Sequence, residues 1–281
     1  MTSVNFRESA ALALVVGFST LLAACTSPQD SGSPVKTVTV TTTAASSSTT
    51  AAPRSSADSG CRAPVVALDP GHNGQSISVF DKITGVEMRD YPNGAEDADV
   101  FAVATTAKRA LERAGYTVVL LKKNTSESVT YRQRVDRAER AEADIGISIH
   151  TSPGEHSVFD QRLGGYREGT GADGQTLRVT FKNADLARKS GRLSSKFATA
   201  RSQVEGRQVN VVQNNFGGRA PLWAGDLPMI SLISQKVPWV YSEFGTVDGG
   251  GGSNPIGPTG RSLYARSIVA ATKAAVPNTC E

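Results

Sequence analysis

The sequence predicts an α/β fold: a single domain with a mostly parallel, twisted sheet and helices on both faces, occupying residues 61–281. Two observations predict it. From Arg62 onward, short β-branched runs of strand length alternate with longer segments of helical period. Strands separated by helices call for right-handed crossovers, and hence for a largely parallel sheet covered on both sides. No internal repeat divides the alternation, so it is read as one domain.

The elements follow in order. PVVALD (64–69) reads as a buried strand. DADVFAVATTAKRALERAG (97–115) reads as a helix, with Val100, Val103, Ala107, Leu111 and Ala114 on one face and Gly115 as its left-handed stop. YTVVLLK (116–122) is a strand, and TYRQRVDRAERAEA (130–143) is a charged helix with a narrow apolar stripe through Val135 and Ala138. DIGISIH (144–150) is the next strand. FKNADLARKSGRLSSKFATA (181–200) is a helix, QVNVVQ (208–213) a strand, VPWVYSEFG (237–245) the last strong strand, and 260–275 a closing helix. GADGQTLRVTF (171–181) belongs to a hairpin or loop excursion, because Asp-Gly is a turn signal.

The first 60 residues read differently. ALALVVGFSTLLAAC (11–25) is an apolar run after Arg7, too short and too abruptly ended to span a membrane. Its end, Leu22-Ala23-Ala24-Cys25, resembles a bacterial lipobox, so residues 1–25 are read as a lipoprotein signal with Cys25 the lipidated position; an ordinary secretion signal is the alternative. Residues 26–60 are dominated by Ser, Thr, Ala and Pro and have too little apolar surface to offset chain entropy. They are read as a disordered tether, about 30–35 Å across as a coil and roughly 120 Å if extended. The TVTV stretch within it has strand propensity, but one isolated strand does not fold alone.

With Cys25 assigned to lipid, Cys61 and Cys280 remain, one at each end of the folded region. Export permits oxidation and domain termini often lie close, so the two are read as a disulfide, with free half-buried thiols as the alternative. The net charge of +4 comes without a Lys/Arg block interleaved with aromatics, which argues against nucleic acid as a partner. Slight basicity instead suits an anionic cell envelope.

Open parallel sheets place their sites at the carboxyl ends of the strands. His72 follows the first strand, His150 ends the third, Glu243 ends the last, and Glu96 sits where a helix begins. Each has a plain structural reading: a hydrogen-bonded turn histidine, a paired carboxylate, or an acid complementing a helix N-terminus. Together, two imidazoles and a carboxylate make up a common catalytic zinc shell with one open position.

LDPGHNG (68–74), the Gly-Ala-Glu entry to the first helix, ADIGISIHTS (143–152) and PWVYSEFG (238–245) resemble the zinc-dependent N-acetylmuramoyl-L-alanine amidases in order, spacing and local structure, over about residues 62–275. The resemblance implies one Zn²⁺ per chain, held by His72, Glu96 and His150 at the carboxyl ends of the strands, with Glu243 as the catalytic carboxylate. Asp69 becomes a candidate to orient His72. Glu87, Asp90, Asp97 and Asp99 lie near Glu96, which is chosen because NGAEDADV matches the family's helix start. Asn73 stands where glycine is usual, and Thr151-Ser152 replace the common Ala-Asn. His156 is read as a loop residue near the cleft rather than a ligand. Some relatives insert a long helix after the second histidine that blocks the metal. Residues 151–180 contain Pro153, several glycines and no sustained amphipathic period, so no such plug is expected.

The implied reaction is hydrolysis of the amide between the lactyl group of N-acetylmuramic acid and L-alanine, in cell-wall remodelling or turnover. Peptidoglycan is the expected partner, together with the membrane through the lipid anchor and no obligate protein partner. The expected location is the cell envelope, at the outer face of the cytoplasmic membrane. A zinc peptidase acting on stem peptides and a non-catalytic envelope-binding lipoprotein are the alternatives. Replacing Cys25 by Ala should move the protein from the membrane fraction to the soluble exported fraction with catalysis intact. Unchanged membrane retention on fractionation would contradict the lipid reading.

Overall fold

The computed structural model describes residues 35–39, 61–213 and 225–280. The expected signal, Cys25 and most of the expected tether lie outside them. The strands are β1 (Lys36–Thr39), β2 (Val65–Pro70), β3 (Ile77–Phe80), β4 (Glu87–Asp90), β5 (Thr117–Leu120), β6 (Ile145–Thr151), β7 (His156–Asp160), β8 (Tyr166–Thr170), β9 (Thr176–Thr180), β10 (Asn210–Val211) and β11 (Trp239–Phe244). The helices are α1 (Ala95–Arg113), α2 (Tyr131–Arg140), α3 (Ala184–Glu205), α4 (Met229–Ile233) and α5 (Gly257–Ala275).

The central sheet has the order β10-β7-β11-β6-β2-β5. β11, β6, β2 and β5 are mutually parallel, as the strand–helix alternation predicts. β7 runs antiparallel to β11. Only residues 152–155 separate it from β6, too few for the crossover that a parallel return needs. The strand expected over 208–213 is reduced to β10, two residues paired with β7.

Alternate side chains of the buried strands feed two cores. Val66, Leu68, Ile145, Ile147, Ile149, Val240 and Phe244 meet α1, α3 and α5 on one face. Val65, Ala67 and Trp239 meet α2, α4 and β9 on the other. Gly146 is required at their junction, since a Cβ there would lie 2.4 Å from the Trp239 ring. Local signals fix the helix ends: Thr130 and Gln133 form a capping box on α2, Asn183 caps α3, and Gly206 closes α3 at φ 66°.

The β3–β4 hairpin was not expected; the hairpin or loop excursion expected over 171–181 is the turn and second strand of the β8–β9 pair, and a bridge between Val86 and Gly171 joins the two hairpins. The reading of 26–60 as a structureless tether is corrected at 36–39, because β1 pairs in parallel with β9 and begins the compact unit at Val35. β9 offers the TVT segment an open edge, Val38 packs against the apolar core, and Lys182 Nζ donates to Thr39 Oγ1 at 3.2 Å. At the other end, Cys61 and Cys280 are joined with their Cα atoms 5.3 Å apart. Closing a loop of 219 residues stabilises the fold by about 5 kcal/mol in the chain-entropy account.

Candidate active site

Because β2, β6 and β11 are parallel, their carboxyl ends share one sheet edge. His72 lies in the turn after β2, His150 on the last turn-ward residues of β6, and Glu243 directly beside His150 in the β11–β6 register. Glu96, in the first turn of α1, reaches the same edge. His72 Nε2 lies 3.0 Å from Glu96 Oε2, and His150 Nδ1 lies 3.2 Å from Glu96 Oε1. One donor atom from each of the three residues falls within 4.8 Å of the others. Two imidazoles and one carboxylate gathered so closely form a group that can hold a metal ion.

The supports of these side chains fix which atoms face the group. His72 Nδ1 lies 3.2 Å from the Tyr91 carbonyl and 3.7 Å from Asp90 Oδ1. A proton on Nδ1 donated to that carbonyl leaves the Nε2 lone pair for a ligand. Glu96 is buried, and Oε1 also accepts the Thr151 backbone N–H at 2.7 Å while Oε2 accepts from Asn93 Nδ2. Burial alone would raise its pKa; the hydrogen bonds and charges of His150 and His72 outweigh that and hold it well below the usual carboxylate range. Burial works against protonated His72, but its hydrogen bond to Glu96 and the charges of Glu96 and Asp90 raise it overall. The Tyr241 ring stacks on His150 at 4.4 Å between centroids.

Glu243 is set apart from this pairing. It is half-buried, its Oε2 is buried, and that oxygen has no hydrogen-bond partner among the described residues. Burial, then the neighbouring Glu96 carboxylate, push its pKa up to about 8. A carboxylate so placed is poised to take and return a proton near neutral pH.

Asp69 does not orient the His72 ring, which turns instead to Asp90 and the Tyr91 carbonyl. Its oxygens accept from Arg134 Nη1 at 2.6 Å and Ser148 Oγ at 2.9 Å. Arg134, fully buried, then donates to the carbonyls of Pro70 (2.9 Å) and His72 (2.5 Å) and to Asn73 Oδ1 (2.8 Å). Lys122 Nζ adds a second donor to the His72 carbonyl at 3.0 Å. These bonds hold His72 at φ 60°, a left-handed conformation uncommon for a side chain of this size. Asn73 is buried and structural, joining the turn to Asp90 and to both backbone groups of Val129. Gly71 is obligatory, since a Cβ there would lie 2.2 Å from the His150 ring.

Arg134, Lys122 and Tyr241 are site residues that the sequence reading missed, and Asp90, weighed there as a neighbour of Glu96, lies against His72 instead. Arg134 carried a usable signal, for it lies four residues before Ala138 on the inward stripe of α2. His156 stands outside the metal group, edge-on to Phe244 at 6.3 Å. The glycine-rich loop after β11 packs behind Thr151, with Gly252 N donating to the Thr151 carbonyl at 3.0 Å, and so backs the site rather than lining it. In front lies a cleft of about 660 Å³, whose walls include Tyr91, Tyr131, Pro153, Phe159, Arg167 and Met229. Residues 151–180 form β7, β8, β9 and their turns.

Residues 66–247, well over half of the chain, match the family model for N-acetylmuramoyl-L-alanine amidase of the Amidase_3 type. The chain belongs to this amidase family. The matched span contains His72, Glu96, His150 and Glu243 and ends just after β11. A curated relative, the N-acetylmuramoyl-L-alanine amidase AmiC of Neisseria meningitidis, is 29% identical over 129 residues, covering 44% of this chain and 28% of its own length. The chain therefore aligns with little more than a quarter of that relative. Among solved structures, apo Ami1 of Mycobacterium abscessus superposes with a TM-score of 0.51 at 15% identity, covering 76% of this chain and 98% of that one. Ami1 of Mycobacterium smegmatis gives 0.49 at 16% identity, covering 77% and 98%. The M. abscessus likeness shows that this family member shares the amidase fold.

Arg134→Met should remove the cation from between Asp69 and Asp90 and free the turn. Breaking a buried pair in this way costs about 3–5 kcal/mol. Equilibrium denaturant unfolding should register that loss, and a change below about 1 kcal/mol would contradict the bracing role.

Proposed function

We propose that the chain is a zinc-dependent hydrolase of the amide between the lactyl group of N-acetylmuramic acid and L-alanine in peptidoglycan. We further propose that it works at the cell envelope, lipid-anchored through Cys25, in wall remodelling or turnover. The observation that carries the reading is Glu243: a carboxylate with a buried, unpartnered oxygen beside a compact His–Glu–His group in an open cleft.

The donor set fits zinc, with two neutral imidazole nitrogens, one carboxylate and an open side toward the cleft. His72 through Nε2, His150 through Nδ1 and Glu96 through its carboxylate would hold the ion. Zinc at such a position supplies Lewis acidity, polarising a carbonyl and acidifying water. Glu243 accepts a proton from the attacking water as the new carbon–oxygen bond forms. It returns that proton to the alanine nitrogen as the carbon–nitrogen bond breaks, leaving a lactyl carboxylate and a free amino group. Tyr241 holds the His150 ring by stacking, while Tyr91, Pro153 and Phe159 narrow the cleft around the reacting bond.

Glu243→Gln keeps the side chain's size but cannot take the water's proton. Turnover of purified peptidoglycan should fall by about 10²–10⁴-fold, with zinc content and melting temperature near wild type. Mass spectrometry of the wild-type digest should reveal new L-alanine amino termini. Near-normal turnover in the variant would remove Glu243 from the chemistry, and cleavage inside the stem peptide would make the chain a peptidase instead.

A further inference from the structure

The turn of the β3–β4 hairpin holds apolar side chains in water. Phe80 is 49% exposed and Ile83 54%, with exposed Lys82 between them. The turn is firmly fixed. Asp81, buried beneath it, accepts from the Thr84 backbone N–H and from Thr84 Oγ1, each at 2.9 Å. The same carboxylate forms a two-point pair with Arg132 of α2 at 2.8 and 2.9 Å. Asp81 N donates to the Val86 carbonyl at 2.9 Å, and Gly85 N donates to the Asp81 carbonyl at 2.7 Å. A rigid turn that presents neighbouring apolar side chains is a surface for a partner.

The point where the N-terminal chain meets the fold says which partner. Lys36, the first residue of β1, pairs with Leu177 of β9. The Leu177 side chain in turn abuts the β3–β4 turn, since a Cβ built on Gly85 would lie 3.5 Å from Leu177 Cδ1. The chain therefore enters the domain beside this turn, and its entry residue Val35 is itself 47% exposed. Only residues 26–34 separate Val35 from Cys25. A chain of that length spans at most about 35 Å, against the roughly 120 Å open to a tether running free to residue 60. Docking of β1 thus keeps the turn close to whatever holds Cys25.

The charges suit a lipid surface. Lys36 and Lys82 are exposed here, while Asp81 is neutralised by Arg132. Asp173, on the adjoining β8–β9 turn, is folded back onto the Gln175 backbone N–H at 3.1 Å. Apolar side chains flanked by lysines fit an interface in which the former enter the acyl boundary and the ammonium groups stay among the headgroups. Resting on the lipid-anchoring reading above and not on the hydrolytic one, we propose that the β3–β4 turn is a membrane-contact surface, with Phe80 and Ile83 seated in the leaflet that holds Cys25. The consequence reaches the active site. β4 covers about 10 Å from Glu87 to Asp90 at roughly 3.4 Å per residue, and Asp90 and Tyr91 line the cleft. A seated turn sets how far the cleft stands from the lipid.

The test places a tryptophan in the turn, Ile83→Trp, with Phe80→Trp as a second probe should the first fold poorly. The full chain is expressed with its signal, and the membrane-bound form is reconstituted in vesicles of phosphatidylcholine and phosphatidylglycerol. Read against the unsubstituted chain, emission from the new indole should shift to the blue. Lipids brominated high in the acyl chain should quench it more than lipids brominated deep, as for a group about 5–10 Å into the interface. Val247→Trp, at a position 93% exposed in the loop after β11, should show neither effect. Absence of quenching at both turn positions on the vesicle-bound chain, or equal quenching at position 247, would overturn the proposal. A blue shift without quenching that grows with protein density would give the turn to a second copy and overturn it equally. Recovery of the exported chain only in soluble form would refute lipid anchoring instead. That form, coupled through the Cys25 thiol to maleimide lipid in the same vesicles, then tests the turn by itself: quenching sustains the contact and its absence ends it.

Discussion

A single buried guanidinium, that of Arg134, connects every part of the site's first wall. It neutralises Asp69 at the end of β2 and lies 3.5 Å from Asp90 at the end of β4. It also donates to the backbone on both sides of Gly71. The turn that carries His72 is left-handed at that residue, so its geometry must be imposed by neighbours. Asp90 and the Tyr91 carbonyl then fix the imidazole's other nitrogen, and Glu96 meets the outward one. Helix α2, though remote from the cleft in sequence, thereby sets the position of the first histidine.

A second buried arginine does comparable work behind β11. Arg201 pairs with Glu205 at 2.7 Å, both side chains being fully buried. From there it donates to the Glu243 carbonyl at 3.0 Å and to Ser242 Oγ at 2.8 Å, while Tyr264 grips Ser242 from α5. Buried ion pairs contribute little net stability compared with apolar residues of the same volume. Their value here is geometric. Each fixes the backbone of a residue whose side chain must point outward into the cleft, and the site can be ordered before substrate arrives.

The main parallel strands and the helices between them were legible because burial on both faces imprints apolar runs, and α1 and α2 carry periodic stripes. His72, His150 and Glu243 were legible because a turn or strand end displays its chemistry in consecutive letters. Glu96 required a choice among crowded acids, and in the structure it contacts both histidines. Asp69 was misjudged because adjacency in sequence does not say which way a strand-end carboxylate turns; Arg134, from 65 residues away, claimed it. The β1–β9 pairing was invisible for the same reason, since a short TVT strand acquires structure only from an edge supplied far along the chain.

The most direct test of the account is anomalous diffraction at the zinc absorption edge from crystals of the zinc-loaded chain. The account predicts one strong peak per chain, bonded to His72 Nε2, His150 Nδ1 and the Glu96 carboxylate, with Glu243 facing the ion's open side without ligating it. A peak bonded to other residues, or a fully loaded site in which Glu243 replaces Glu96, would contradict it.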